Sequence, residues 1–92
     1  MKDLKFVSIG FGSLVNIDRV VAVVKSDTLP SRRLINDARD SGRLLDATCG
    51  RKTRSIVIVD SNQVILCGLN TDTVAARLNL QVDVKEVEDE EA

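Results

Sequence analysis

The 92-residue chain contains no histidine, tryptophan or tyrosine, and only two cysteines, two phenylalanines and one proline. Without histidine, the side chain that most often acts as a general acid or base near neutral pH is missing. Two cysteines that form no CxxC pair, in a chain without histidine, are a poor donor set for zinc. They also lack the usual activator of a nucleophilic thiol. The sequence therefore predicts neither an enzyme nor a protein with a metal or other cofactor.

Long apolar runs are missing as well. No stretch approaches the roughly 20 apolar residues that cross a bilayer, and the N-terminal residues MKDLKF lack the apolar region of a signal peptide. We expect a cytoplasmic protein with no membrane partner and no small-molecule substrate. In that compartment Cys49 and Cys67 would be reduced, and we expect both to be small packing residues in strands.

The chain does contain a series of short elements typical of one domain. β-Branched and apolar runs predict strands at the start of LKFVSIGFG, over Val20 to Val24, and in LLDAT, RSIVIVD and QVILCG. Helices are predicted in SDTLPSRRLINDARDSGR, with Pro30 in its first turn, and in TDTVAARLNL, with Thr71 as N-cap. The fold class is mixed α/β, more narrowly α+β: a small, mostly antiparallel sheet of about five strands with two short helices.

The run from Ile56 to Val59 has no polar alternation, so this strand needs apolar cover on both faces. Two helices of about ten residues are too small to cover both faces of a five-stranded sheet. A second copy of the chain would provide the remaining cover. We therefore expect a homo-oligomer.

The net charge of −1 conceals two regions of opposite sign. Residues 83–92 carry six acids and one lysine, a net −5, whereas residues 1–82 carry 12 bases and 8 acids, a net +4. We expect residues 1–82 to form the single folded domain and residues 83–92 to be a flexible acidic tail. A basic domain is typical of a protein with a polyanionic partner, but a solvated tail on an ordinary domain gives the same totals.

The densest basic cluster is the segment GRKTR, which begins at Gly50 and leads into a predicted strand. Gly50 allows a sharp turn. Arg51, Lys52 and Arg54 would project from a loop–strand junction, with no acid between residues 47 and 59. The arginine fork and the lysine point charge both suit phosphate oxygens. The segment is typical of a phosphate-binding loop, although an exposed solubilising loop can have the same composition.

If the polyanion is a nucleic acid, duplex DNA fits best. Single-strand binders stack bases on aromatic side chains, and Phe6 and Phe11 are too few for such a platform. A helix-turn-helix needs two successive helices, but a strand follows the first helix here. One subunit offers only three or four phosphate contacts and would bind weakly, whereas an oligomer would multiply them.

Arginines outside this loop are candidates for further contacts. Arg19 lies at the start of the second predicted strand, where a side chain can project from a loop held by a sheet. Arg32 and Arg33 lie off the apolar face of the first helix and are candidates for secondary DNA contacts. Asp37 and Asp40 can pair with part of this helix's charge.

Three segments of the sequence resemble the RemA family of small bacterial DNA-binding regulators that activate extracellular-matrix genes. These segments are KFVSIGFGSLVNIDRVVAVV, LPSRRLINDARDSGRLLDATCGRKTRSIVIVDSNQVIL and TVAARL. The resemblance runs from about Lys5 to Leu78, and its most specific parts are IGFG, DARDSG and GRKTR. It departs from the family pattern at Cys49, where the family often has an aromatic residue, and at Lys52, where it often has arginine.

The resemblance implies a ring-like homo-oligomer that displays loop arginines to duplex DNA and curves the DNA around itself. It implies DNA contacts at Arg19, Arg51 and Lys52, and a position sensitive to change at Pro30. Such a protein would be nucleoid-associated while bound to DNA. One alternative function stays open: a structural or protein-binding oligomer whose arginine loops meet acidic partners.

Overall fold

The computed structural model describes residues 5–78; the predicted acidic tail, residues 83–92, lies outside them. The elements are β1 (Phe6–Ser8), β2 (Leu14–Asn16), β3 (Val20–Lys25), α1 (Leu29–Asp40), β4 (Leu44–Asp46), β5 (Ser55–Val59), β6 (Val64–Cys67) and α2 (Thr71–Leu78). One 3-10 turn, Ile17–Arg19, joins β2 to β3. Neither helix of this part of the chain is long and apolar enough to cross a membrane. The predicted α+β class is confirmed.

The strands form two sheets rather than the single sheet that the sequence predicts. β1 and β2 are an antiparallel pair, with Val7 opposite Val15. The other four strands have the order β3-β5-β6-β4, antiparallel except for the parallel pair of β4 and β6. All five predicted strands are present. The sixth, β2, was missed because its three residues, LVN, are too few to show an alternating pattern.

The four-stranded sheet has an apolar cluster on each face. On one face Ile56, Val64 and Leu66 pack with Ala38 of α1. On the other face lies a larger cluster from β1, β2, the sheet and α2, whose buried members are Ile9, Val15, Ala47, Val57, Val59, Ile65, Cys67, Val74 and Leu78. The prediction that β5 lacks cover within its own chain is therefore wrong. The β1–β2 pair provides the layer for which the two helices are too small.

Apolar surface remains at other places. Phe6 and Leu14 are 56% and 64% exposed on the outer face of the β1–β2 pair. Val21, on the edge strand β3, is 66% exposed. A contiguous exposed apolar patch often marks a subunit contact, and Phe6 and Leu14 lie on the same face of the β1–β2 pair. The homo-oligomer stays a prediction, and these residues are now its basis.

Helix α1 begins with Pro30 in its first turn, as the sequence predicts. The Thr28 hydroxyl oxygen accepts a hydrogen bond from the Ser31 N–H at 3.2 Å, which is a typical N-cap. The Ser31 hydroxyl donates to the backbone carbonyl of Lys25. This bond ties the first turn of α1 to the end of β3.

Helix α2 begins differently from the prediction. The N-cap is Asn70, whose side-chain oxygen accepts from the Thr73 N–H at 2.8 Å, and Thr71 is the first helical residue. The prediction of Thr71 as N-cap is wrong by one position because both residue types cap well. Arg77, near the end of α2, donates to the Ser8 carbonyl at 3.4 Å and so ties this helix to β1.

Candidate nucleic-acid interface

The loop between β4 and β5 is held in shape from the last residue of β4 onward. One side-chain oxygen of Asp46 accepts from the Thr48 N–H at 2.9 Å and from the Thr48 hydroxyl at 2.6 Å. These two bonds hold the pKa of Asp46 below its usual value, although the carboxylate is at the surface. Cys49 and Gly50 follow with φ of 53° and 84°, in the left-handed region where glycine carries no steric cost. The chain therefore turns sharply just before the three cations.

Arg51 lies on an aromatic ring. Its guanidinium carbon is 4.0 Å from the centroid of the Phe11 ring, and the backbone N–H of Arg51 donates to the Thr48 carbonyl at 3.1 Å. The Cys49 thiol donates to the Phe11 carbonyl at 3.3 Å, so the loop packs on the turn between β1 and β2. Behind the ring is Gly68, where an added Cβ would lie 2.7 Å from the Phe11 Cε2 atom. Ring and loop thus form one packed unit with Arg51 on its surface.

The two cysteines have different environments. Cys67 is fully buried, and its thiol donates to the Ile9 carbonyl at 3.2 Å; the prediction of a packing residue is correct here. Cys49 is exposed and lies in the turn, so the same prediction is wrong for it. Within residues 5–78 no group of three or more cysteines and carboxylates could hold a metal ion.

A groove of about 310 Å³ lies beside the loop, between the end of β3 and the start of α2. It is lined by Lys25, Ser26, Asp27, Lys52, Thr53, Arg54, Asn70, Thr71 and Asp72. The Ser26 hydroxyl donates to the Thr53 carbonyl at 2.9 Å and fixes the loop to β3. Three cations against two carboxylates leave a net positive charge. We call Arg51 and this groove the basic end of the molecule.

Arg19 lies at the opposite end of the β3–β5 pair. The register places Val20 opposite Val59 and Lys25 opposite Ser55, so Arg19 is roughly 15–20 Å from the basic end at about 3.3 Å per residue. The Arg19 Nη1 atom is 3.3 Å from the Asp60 Oδ1 atom, with side chains 63% and 47% exposed. The sequence did not indicate this ion pair because the two residues are 41 positions apart.

Arg32 and Arg33 lie on the surface of α1 and do not line the groove. Their helix packs on the sheet face opposite the β1–β2 pair. Asp37 and Asp40 were expected to pair with charge on this helix, but neither forms an ion pair with another described residue. The helix therefore carries a solvated charged face, separate from the basic end.

The molecule is thus a small α+β domain whose candidate chemistry consists of cations at the surface, held by a packed loop. A family model described as extracellular matrix regulatory protein A-like, RemA-like in short, matches residues 6–78. The chain belongs to this family, and the resemblance found in its sequence is confirmed.

Relatives of similar length agree. A protein of Carboxydothermus hydrogenoformans is 44% identical over 84 residues, 91% of this chain and 97% of that protein. A protein of Clostridium beijerinckii is 46% identical and one of Clostridium perfringens 47% identical, each over 88 residues, 96% of this chain and 98% of the relative. All three carry the name "Putative regulatory protein". Family and names indicate a regulatory rather than a catalytic protein.

Proposed function

We propose that the protein is a cytoplasmic transcription regulator that binds duplex DNA as a homo-oligomer through its basic end. The observation that carries the proposal is that Arg51, Lys52 and Arg54 project from one loop whose backbone is already fixed. Stacking on Phe11 uses the flat face of the Arg51 guanidinium and leaves its N–H edge for phosphate oxygens. Side chains that are ordered before binding lose less conformational entropy when they meet the ligand.

The contacts of one subunit are few. Each phosphate contact contributes about 0.9 to the slope of log affinity against log salt, so three contacts give roughly 2.7. A ring-like oligomer would repeat the basic end along one DNA path and would curve the DNA. Genes for extracellular matrix, as in biofilms, are the targets that the family description suggests, and the protein would be nucleoid-associated while bound.

The remaining candidates have lesser roles in this proposal. Arg19 is a second contact point, 15–20 Å away by strand length. Its ion-pair partner Asp60 competes with DNA for the Arg19 side chain. Arg32 and Arg33 are peripheral contacts. Pro30 acts indirectly, because the first turn of α1 is bonded to the end of β3 and so supports one wall of the groove.

A mobility-shift titration on duplex DNA across a salt series tests the function, with light scattering in parallel. We expect binding that falls steeply with salt, with a slope of about 2.7 or more, by a species well above the 10.1 kDa of one chain. A stable monomer at micromolar concentration would contradict the oligomer. Absence of binding at low salt would contradict DNA as the ligand and would favour the structural or protein-binding oligomer with acidic partners.

A further inference from the structure

The acidic segment, residues 83–92, has no role in the function proposed so far. It carries a net charge of −5 and follows the last residue, 78, that the family model matches. The basic end has the opposite sign, and the groove is lined at one side by the start of α2, the same helix from which the chain continues toward this segment. The segment's contact with the groove depends on the length of chain that follows α2.

The chain after Leu78 is long enough to fold back along α2 to the groove. Helix α2 has eight residues, so its last residue lies about 11 Å from its first at about 1.5 Å per residue. From Leu78, the chain to Asp83 can span at most about 17 Å, and the chain to Glu91 at most about 45 Å, at roughly 3.4 Å per residue. Either span exceeds the length of α2. Asp83 can therefore reach the Asn70–Asp72 side of the groove, and the later carboxylates of the segment have the length to reach the cations beyond it.

We propose that the acidic segment binds the groove of its own chain, with its carboxylates on Lys52 and Arg54. Hydrogen bonds between these ions are charge-assisted and about twice as strong as neutral ones. The Thr53 side chain adds a hydroxyl, whereas Asp27 and Asp72, which also line the groove, oppose the approach of further carboxylates. The contact is thus weak and weakens further with salt.

A weak contact is sufficient because the segment is tethered. A short linker gives an effective concentration on the order of 1 mM. A segment with an intrinsic Kd near 1 mM then occupies its groove about half of the time, and one with a Kd near 0.1 mM about nine-tenths of it. The same occupancies would lower the affinity of the groove for a competing polyanion by about twofold and about tenfold.

The regulatory consequence rests on the proposed function, but the contact itself does not. Since Lys52 and Arg54 are also the proposed phosphate contacts, the segment and DNA exclude each other from the groove. A single basic end would then bind DNA about two- to tenfold more weakly, and this loss is overcome where many basic ends engage one duplex together. The segment raises the threshold for binding instead of abolishing it.

Carbodiimide cross-linking tests the contact without DNA, since this reagent joins a carboxylate to a lysine amine only when they touch. Full-length chains labelled with ¹⁴N and ¹⁵N are denatured together and refolded, so that any oligomer contains both labels, and are then cross-linked and analysed by mass spectrometry. We expect peptides that join residues 83–91 to Lys52 or Lys25, within one isotope label, and fewer of them at high salt. Cross-links to Lys5 at equal yield, cross-links between labels, or none would overturn the proposal.

A matched pair of charge-reversal variants tests whether the acidic segment contacts the groove itself. Arg54→Glu should lower the cross-link yield at Lys52 at least about fivefold, because it reverses a neighbouring charge. Arg39→Glu makes the same charge change at the far end of α1 and should alter the yield by less than about twofold. Equal loss in both variants would overturn the groove as the site and would indicate attraction by net charge alone.

A full-length variant with amides in place of the six acids of the segment tests whether its contact with the groove competes with DNA. The exchanged residues are Asp83, Glu86, Glu88, Asp89, Glu90 and Glu91. This variant should bind duplex DNA about 2- to 10-fold more tightly than the wild type at low salt. Unchanged affinity despite Lys52 cross-links would overturn the competition. Cross-links in a protein that never binds DNA would instead contradict the proposed function while the contact stands.

Discussion

The two ends of the β3–β5 pair both present arginine, but in different states. At the basic end Arg51 rests on the ring of Phe11, and its side chain donates to no acceptor among residues 5–78. At the opposite end Arg19 is paired with Asp60 at 3.3 Å. Both side chains are exposed. From residue type and position along the chain, the two arginines would be equally good candidates for DNA contacts. Only their contacts in the structure distinguish them.

The difference decides how much each arginine can contribute to a ligand. A hydrogen bond to a charged group is worth about 1.5–3 kcal/mol, and Arg51 can make one without breaking any existing ion pair. Arg19 must first give up, or share, its contact with Asp60. An exposed ion pair is worth only about 0–1 kcal/mol, so this cost is small but acts in every subunit. The basic end is therefore the stronger site.

The largest effect is expected from Arg51→Ala. Loss of one charge-assisted contact should weaken duplex binding about tenfold or more, and the effect accumulates over the subunits of an oligomer. The salt slope should fall by about 0.9 for each lost phosphate contact. Stability should fall only by the cation–π contact with Phe11, about 0.5–1 kcal/mol. Mobility shifts over a salt series and thermal melts measure the two quantities.

Three further variants make this test more specific. Arg51→Lys keeps the charge without the fork and should be milder. Arg19→Ala should also be milder than Arg51→Ala, since Arg19 is already paired. Arg39→Ala, whose side chain donates to Asn36 at 3.1 Å on α1, should bind as the wild type does. If Arg51→Ala binds normally across the series, the loop is not the DNA site; if it breaks the oligomer, Arg51 belongs to a subunit contact.

Much of the fold follows from local patterns. The apolar run of β5 and the first turn of α1, marked by Pro30, were both predictable because each depends on neighbours within a few residues. The second sheet was not predictable in this way. Strand β2 is three residues long and is defined by its pairing with β1, and that layer is what covers the sheet face assigned from the sequence to a second copy.

Part of the candidate site was likewise predictable from local sequence and part was not. The loop cations and the sharp turn at Gly50 are adjacent in the sequence, so their spacing indicated a site. The Phe11 ring beneath Arg51 and the Asp60 partner of Arg19 come from 40 and 41 residues away. No local pattern reports such contacts. The sequence therefore identified the cations but not which of them are paired.

The support beneath Arg51 can be tested through Gly68→Ala. The new Cβ would meet the Phe11 ring at 2.7 Å, so the ring must move, and overpacking of this kind costs about 1–3 kcal/mol. We expect a lower melting temperature together with weaker DNA binding, because Arg51 loses its platform. The double variant Gly68→Ala/Phe11→Leu should regain stability but not binding. Wild-type binding in the single variant would show that the ring does not position Arg51.

The Arg19–Asp60 ion pair predicts that a variant at the opposite end strengthens DNA binding instead of weakening it. Asp60→Asn removes the carboxylate that holds Arg19, so it should strengthen duplex binding by about twofold, given that exposed ion pairs are worth about 0–1 kcal/mol. In the Arg19→Ala background most of this gain should vanish, leaving the part due to net charge alone. A double-mutant cycle from DNA affinities measures the coupling. An equal gain in both backgrounds would show that Arg19 makes no contact with DNA.

The smallest effect concerns Asp46, which holds the loop at the basic end. Its pKa is lowered in the folded chain by hydrogen bonds from the Thr48 hydroxyl and N–H. A lowered pKa stabilises the fold above the ordinary carboxyl pKa of 3.8, and this contribution is lost as the pH falls from there through the lowered value. The melting-temperature advantage of the wild type over Asp46→Asn should thus be constant from about pH 7 to 5 and shrink below about pH 4. Asp72→Asn, at the start of α2, controls for the loss of one surface carboxylate. An advantage that grows as the pH falls would mean that Asp46 does not hold the loop as an anion.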